Sequence, residues 1–175
     1  MALTTCRECG AEISDQARAC PRCGAPQAAA PAYPGFGFEW KSSRTYHGYP
    51  LVHIAFGKDS RGRWRVAKGV IAIGQFALGL VTVAQFGVGL LFGFGQFLLG
   101  GIVLAQFAGG LVLGVGQIAT GYVAVGQVAL AYYGLGQIGL AEFLWSTSRR
   151  DAEAERFFLS WWDYLKQLVP WRGVL

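Results

Sequence analysis

The sequence predicts a mainly β protein, with a small cysteine-rich module at its start and an amphipathic helix at its end. Three observations support this prediction: two C-x-x-C pairs near the start, a charge-free repeat from Gly69 to Ala141, and a helical apolar pattern after Ser146. The expected parts are the cysteine module at 1–25, a Pro/Ala-rich linker at 26–40, a repeat β-barrel domain at 41–145 and a helix at 146–170.

The cysteine module consists of two knuckles of the form C-x-x-C-G, separated by ten residues. Four thiolates at this spacing suit Zn²⁺, which prefers tetrahedral sulfur ligands in closed structural sites. A redox dithiol is disfavoured because no βαβ pattern surrounds the pairs. We therefore expect a four-cysteine zinc ribbon at 1–25, with one zinc ion as cofactor. The expected ligands are Cys6, Cys9, Cys20 and Cys23.

This segment resembles the short bacterial zinc-ribbon family over residues 4–25, with all four ligand positions matching. Members of that family serve mostly as small structural or interaction modules. The resemblance thus implies a surface for a protein partner and no catalysis. The metal-type spacing of the cysteines also fits a reducing compartment.

The charge-free stretch is a repeat, marked by glutamines that recur at every tenth or eleventh position and each follow Gly or Ala. Gly is its most frequent residue type, and most large side chains are β-branched or aromatic. This composition favours short strands, turned at Gly-containing positions, over three membrane-spanning helices. A period of 21 residues, which is two repeats, fits one antiparallel hairpin and one solenoid coil equally well. The repeated polar positions are Gln75, Gln85, Gln96, Gln106, Gln117, Gln127 and Gln137.

These glutamines are expected to be turn residues or an amide ladder, with a ring of ligand-binding amides as the alternative. Both faces of the predicted strands are apolar, so neither face is built for water. One face must fill the interior, and the other must meet lipid or another protein layer. If this part inserts into a bilayer, a closed barrel is favoured because every backbone group must then be paired internally.

The segment before the repeat is basic, with seven Lys or Arg residues and one acid from Lys41 to Lys68. A basic segment that directly precedes an uncharged one indicates anionic lipid headgroups rather than nucleic acid. Within it, strands at 50–57 and 64–68 are predicted to form a hairpin around a charged turn. The residues expected at the headgroups are Lys58, Arg61, Arg63 and Arg65.

A second resemblance rests on the run from Gly48 to Gly57, the charged turn, the run from Arg65 to Gly74 and the Gly-rich repeats. Over Ser43 to Glu142 the chain resembles a bacterial family of unknown function that belongs to the β-flowers. The resemblance implies a shallow all-β barrel with hairpin petals and association with a membrane. It carries over no catalytic residue.

The last segment is predicted to be an amphipathic helix that begins with an N-cap near Ser146 and ends before Pro170. Its Trp161, Trp162 and Leu165 are of the types that settle at a membrane interface. The alternative is that this apolar stripe packs on the barrel as a lid.

The sequence offers no support for an enzyme: no Ser/His/Asp set, carboxylate pair or phosphate-binding loop can be assembled. His53 is expected to be a neutral core histidine. The expected function is a non-enzymatic, membrane-associated scaffold or adaptor. The alternatives are a lipid- or small-ligand-binding barrel and a polytopic helical membrane protein with a regulatory zinc module.

The expected partners are membrane lipids and a protein bound through the ribbon, with self-association as a further expectation and no nucleic acid. Met1 to Gly10 has no apolar core, so no signal peptide is expected. The expected location is the cytoplasmic side of the inner membrane.

Overall fold

The computed structural model describes residues 3–14, 17, 19–26 and 36–168. Most of the predicted linker, residues 27–35, lies outside this part. The chain divides into two compact units, Met1–Gly37 with Gly57–Trp64, and Phe38–Phe56 with Arg65–Leu175. The predicted mainly β class with one C-terminal helix is confirmed.

The cysteine module contains one short hairpin. Strand β1 (Leu3–Thr5) pairs antiparallel with β2 (Glu12–Ser14), and Leu3 lies opposite Ser14. The buried apolar residues are Ile13 and two of the cysteines, so the module has almost no hydrophobic core.

The second unit begins with short strands: β3 (Gly37–Lys41), β4 (Thr45–Tyr46), β5 (Tyr49–Pro50) and β6 (Val52–Gly57). Strand β3 starts inside the predicted linker. Strands β4 and β5 form a separate two-stranded sheet, and β3, β6 and the long β7 (Val66–Trp145) form a three-stranded sheet in that order.

The predicted hairpin at 50–68 is wrong, because β6 pairs in parallel with β7. Val52 lies opposite Ile71, and Ala55 lies opposite Gly74. The charged turn closes only as a loop, through an antiparallel bridge between Lys58 and Trp64. Parallel pairing fits the sequence of these strands, which is apolar on both faces.

Strand β7 is one extended stretch that stacks on itself at a nearly constant offset. The rings of Phe76, Phe86, Phe97 and Phe107 follow one another with centroid distances of 5.7, 6.1 and 4.3 Å. Each of these residues therefore meets its equivalent in the next repeat, whereas hairpin arms would give an offset that changes along the strand. Of the two arrangements that the spacing allowed, the structure has solenoid coils, but each coil is one repeat long and not the predicted two.

These coils form shallow sheets, and the described residues form no closed barrel with hairpin petals. The helical alternative for this stretch is wrong, because residues 66–145 are extended throughout.

The interior of the coils is thin. Inward positions recur at about every fifth position and hold mostly Ala and Gly, with Thr82, Leu98, Val103 and Leu144 as larger exceptions. The hydroxyl of Thr82 donates to the carbonyl of Val88 at 2.8 Å, so this buried polar group is paired. The inward residues are Ala67, Ala72, Ala77, Thr82, Gly93, Leu98, Val103, Ala108, Gly114, Ala119, Ala124, Ala129, Gly134 and Leu144.

Close contact between successive coils explains many of the glycines. A Cβ added at Gly100 would lie 1.9 Å from the carbonyl oxygen of Gly89, and one added at Gly79 would lie 2.6 Å from that of Gly69. At Gly121 the corresponding distance to the carbonyl of Gly110 is 2.9 Å, and φ is +154°. Any larger residue would push two backbones apart.

Helix α1 spans Ala152–Leu168, so it begins later than the predicted start at Ser146. The intervening residues instead cover the free backbone edge of the last coil. The hydroxyl of Thr147 donates to the carbonyl of Gln137 at 2.9 Å, and the guanidinium of Arg149 donates to the carbonyls of Ala141 and Glu142. Polar groups that pair with an open edge prevent further strands from adding to it.

Asp151 joins this edge to the start of the helix. Its carboxylate accepts a hydrogen bond from the N–H of Leu144 at 2.8 Å, and its own N–H donates to the carbonyl of Leu144. Its carbonyl accepts from the N–H of Glu155 in the first turn of the helix. Within the described part of the chain, no helix has both the length and the apolar character needed to cross a bilayer.

Candidate metal centre and the other predicted sites

The two knuckles have the same local structure. Gly10 and Gly24 adopt φ of +71° and +73°, a conformation that glycine accepts without strain. Their N–H groups donate to the carbonyls of Cys6 and Cys20 at 2.9 and 2.8 Å. The glycines therefore close both turns in the same way.

The four cysteine sulfurs converge within 4.8 Å of one another. The Sγ atoms of Cys6 and Cys23 are 3.7 Å apart, and those of Cys9 and Cys20 are 3.6 Å apart. A tetrahedron with Zn–S bonds of about 2.3 Å has sulfur–sulfur edges of roughly 3.8 Å. The four residues fit one zinc ion, as predicted.

The knuckle backbone favours the thiolate form of the first cysteine in each pair. The N–H of Cys9 lowers the pKa of Cys6 to about 6, and the N–H of Cys23 lowers the pKa of Cys20. For the second cysteines, the N–H of Ala11 at Cys9 and that of Ala25 at Cys23 act in the lowering direction, but hydrogen bonds with neighbouring cysteine thiols together with desolvation outweigh them. The pKa of Cys9 is therefore raised, and that of Cys23 is raised to about 12. Zinc binds thiolates, so loading the site with metal releases the protons that the second pair holds.

The four predicted headgroup residues have different surroundings. Arg63 pairs with the carboxylate of Asp59 at 3.1 Å, and Arg65 pairs with that of Glu39. The ammonium of Lys58 lies 4.7 Å from the centre of the Trp64 ring. Arg61 is exposed, and its side chain makes no ion pair with any residue that the structure describes.

The predicted interface residues of the helix are exposed: Trp161 at 41%, Trp162 at 58% and Leu165 at 49%. The first half of the same stripe is packed instead. Ala154 and Phe158 are buried, and Phe157 stacks on Tyr133 with 4.1 Å between ring centres. The apolar stripe is therefore packed in the first half of the helix and exposed in the second half.

The glutamines form an outward column along the coils. Gln75 is half-buried, and Gln85, Gln96, Gln106, Gln117, Gln127 and Gln137 are exposed. They do not line the interior, so the structure does not bring them together as a ring around a cavity. Each lies beside a shallow groove or a stacked aromatic column on the outer surface.

Sequence reasoning missed a polar cluster at the first coil, which is centred on Glu39. This carboxylate accepts from Lys41 at 2.9 Å and from Arg65, and lies 3.3 Å from Nε2 of His53. The ammonium of Lys41 holds the pKa of Glu39 below its ordinary value, with a smaller lowering by Arg65 that acts against partial burial. The only signal was a single Glu at the end of the predicted linker, directly before the basic segment.

His53 is buried and belongs to the same cluster. Its Nδ1 accepts from the N–H of Lys68 at 2.8 Å and lies 3.1 Å from the Lys68 carbonyl, while Nε2 faces Glu39. These contacts fit the neutral core histidine that the sequence predicted.

Comparison with known proteins agrees with the metal centre. Residues 5–27 match the zinc-ribbon domain family. No curated protein and no solved structure matches the chain. The chain thus carries an N-terminal zinc-ribbon domain, joined to a β solenoid for which the β-flower resemblance finds no support.

Proposed function

We propose that the protein is a membrane-associated scaffold, in which the coils lie on a lipid surface and the zinc ribbon is the module that binds a protein partner. The observation that supports this most directly is the inverted distribution of side chains in the coils. Alanine and glycine fill the interior, and most of the large apolar residues point outwards.

Each coil has two stretches whose large side chains point outwards, separated by inward residues. The glutamine stretches have the form x-Gly/Ala-Gln-Φ, where Φ is a large apolar residue, at 73–76, 83–86, 94–97, 104–107, 115–118, 125–128 and 135–138. The apolar stretches at 78–81, 88–91, 99–102 and 109–112 contain only Leu, Val, Ile and Gly. Leu111 is 79% exposed there, and Leu90 is 61% exposed. An apolar surface that continues over four coils is of the kind that marks a lipid or protein contact.

The backbone of the coils is suited to a low-dielectric surface. Successive coils pair with each other, so open backbone edges exist only at the two ends of the stack. The last coil is covered by Thr147, Arg149 and Asp151, and the first by β6 and β3. Unpaired backbone groups are what lipid tolerates least, and the sides of this stack avoid them.

The apolar stretches, rather than the glutamine stretches, are the lipid-facing side in this proposal. The amides of Gln85, Gln96, Gln106, Gln117, Gln127 and Gln137 make no hydrogen bond with another described residue. Placing an unpaired amide in hydrocarbon, where nothing can hydrogen-bond to it, costs about 4–8 kcal/mol. In water the same amides are hydrated at no cost.

The exposed half of the helix offers a second lipid contact, because Trp is favoured at the headgroup level. Lys166 lies 5.7 Å from the Trp162 ring, which places a cation beside the exposed aromatic. In the other unit, Arg61 adds an exposed positive charge and Lys58 a half-buried one. Each basic residue near an anionic surface contributes about 1 kcal/mol.

The test is vesicle co-sedimentation of the full chain with the double variant Leu99→Gln/Leu111→Gln. The matched control is Ile118→Gln/Ile138→Gln, which adds the same polar group to exposed positions on the glutamine stretches. We expect the first pair to reduce binding to neutral and anionic vesicles at least tenfold, and the control to bind like the wild type. Lys58→Gln/Arg61→Gln should weaken binding to anionic vesicles only, with a smaller salt dependence.

Two results would contradict this proposal. One is a wild-type chain that sediments with neither type of vesicle. The other is an equal loss of binding in the Leu pair and the Ile pair, which would mean that general surface polarity matters and the apolar stretches do not.

A further inference from the structure

The hairpin β4–β5 stands beside the first coils and is built by a tight turn. His47 and Gly48 occupy the two central positions, with φ of +48° and +81°, as a type I′ turn requires. Tyr46 and Tyr49 face each other across the hairpin, and both are exposed. The turn thus holds two tyrosines side by side at fixed positions.

A groove of about 350 Å³ lies between this hairpin and the first coils. Its lining includes Gly69 and Gly79, which contribute backbone only. A Cβ at Gly69 would lie 2.8 Å from the carbonyl of Pro50, so close backbone packing excludes a side chain there. The other apolar lining residues are Val70, Leu78, Leu80 and Leu90. Ligand-binding pockets start at about this volume, and most are apolar with a few polar groups.

One cation lies at this groove. Lys68 is the only Lys, Arg, Asp or Glu among the lining residues, and its side chain is exposed. Its ammonium forms no ion pair with a residue in the described part of the chain, whereas the nearby Lys41 is paired with Glu39. The groove therefore combines an apolar floor and walls, two phenols, the imidazole of His47 and one unpaired positive charge.

We propose that this groove binds one single-chain amphiphile that carries a carboxylate. The apolar chain would lie along Gly69 and Gly79 between the leucines, and the carboxylate would meet Lys68. A ligand with two acyl chains fits this volume poorly, and a neutral chain would leave Lys68 without a partner. The groove shares Leu78, Leu80 and Leu90 with the apolar stretches of the proposed lipid contact. Its test uses a dissolved ligand without vesicles and other variants, so the failure of one proposal can be distinguished from the failure of the other.

The experiment is calorimetric titration of the full chain, without vesicles, with dodecanoate and with dodecan-1-ol below their aggregation limits. The wild type should bind dodecanoate more tightly. Lys68→Gln should weaken dodecanoate binding about threefold to fivefold, the range of a solvent-exposed ion pair, and leave dodecan-1-ol unchanged. Lys68→Arg should keep the preference for the acid. Lys58→Gln, the matched control, should have no effect.

Leu90→Gln should weaken binding of both ligands, because it places an amide in the apolar wall. Leu111 occupies the same position of the repeat two coils further on and does not line the groove. The Leu111→Gln variant should therefore bind both ligands like the wild type. Circular dichroism of each variant shows that the coils are folded.

The proposal is overturned if the wild type does not bind dodecanoate, if Lys68→Gln keeps the preference for the acid, or if Leu90→Gln and Leu111→Gln have the same effect.

Discussion

The zinc ribbon and the coils both lack an ordinary hydrophobic core, and they compensate in different ways. Among its described residues the ribbon buries little besides Ile13, Cys6 and Cys20, so its structure depends on one metal ion at the point where the four sulfurs meet. The coils bury a row of alanines and hold together by close backbone contact at glycines. One unit thus depends on a single centre, and the other spreads its stability over many equivalent contacts.

The largest difference between the two units should appear when the metal is removed. Cys20→Ser, or a zinc chelator, should abolish stoichiometric zinc and disorder residues 3–26, because binding of the metal supplies the folding free energy of so small a module. The coils should keep their β spectrum. Zinc analysis and amide NMR spectra of the full chain measure both effects.

The control for this change is Arg22→Ser, which alters an exposed residue between the two ligands of the same knuckle. It should retain zinc and the ribbon resonances. A Cys20→Ser protein that still carries one tightly bound zinc would show that the four sulfurs are not the site.

The next largest effect should come from adding a single methyl group between two coils. Gly100→Ala places a Cβ 1.9 Å from the carbonyl oxygen of Gly89, so the backbones must separate, at a cost of about 1–3 kcal/mol for overpacking. Gly93→Ala is the matched control, since its Cβ would lie 3.4 Å from the nearest atom, a side-chain carbon of Leu98.

We expect Gly93→Ala to change the free energy of unfolding by less than about 1 kcal/mol, because the smaller freedom of the unfolded chain offsets weak crowding. Denaturant unfolding followed by circular dichroism measures both variants. Equal effects at the two glycines would mean that the contact between coils does not set the stability.

The smallest effect concerns the capped end of the coils and depends on pH. The N–H of Leu144 holds the pKa of Asp151 below its ordinary value, with a further lowering by Arg149 that acts against partial burial. A depressed pKa in the folded state means that this carboxylate stabilises the fold above the ordinary pKa of Asp, about 3.9. That contribution is lost as the pH falls through the lower, folded value.

The measurement is thermal unfolding of the wild type and Asp151→Asn at a series of pH values. The amide retains an oxygen acceptor and the same shape but cannot carry the charge. Near neutral pH the wild type should be the more stable, and the two melting temperatures should converge in acid. A constant difference at every pH would show that the charge of Asp151 does not contribute to the cap.

The sequence predicts local features of this molecule well and non-local ones poorly. Each knuckle follows from a run of neighbouring positions, so Cys6 to Gly10 and Cys20 to Gly24 suffice to predict the metal centre. The glutamine period equals the coil length, but it also equals the length of one hairpin arm, so the direction of pairing is not encoded in the spacing.

Residues that cap the ends were missed for a related reason. Arg149 and Asp151 meet backbone groups of the last coil. Glu39 meets His53 and Arg65, which lie far from it in the sequence. In the sequence, Arg149 and Asp151 read as the start of a helix, because a cap for a strand edge and a cap for a helix use the same polar residues. The sequence also could not show that the first half of the helix stripe is packed and the second half exposed, because both halves carry the same types of apolar residue.

The nearly constant offset between coils has a consequence for how the length of this domain can change. One residue added within a coil would move every following side chain out of its column, so the Phe column and the glycine contacts would be lost together. A complete coil would keep them. The loop at 58–64 is the exception, because Val52 pairs with Ile71, an offset much longer than one coil, and the extra chain lies outside the columns. We therefore expect the domain to grow or shrink by complete coils, and single insertions to be tolerated only at that loop.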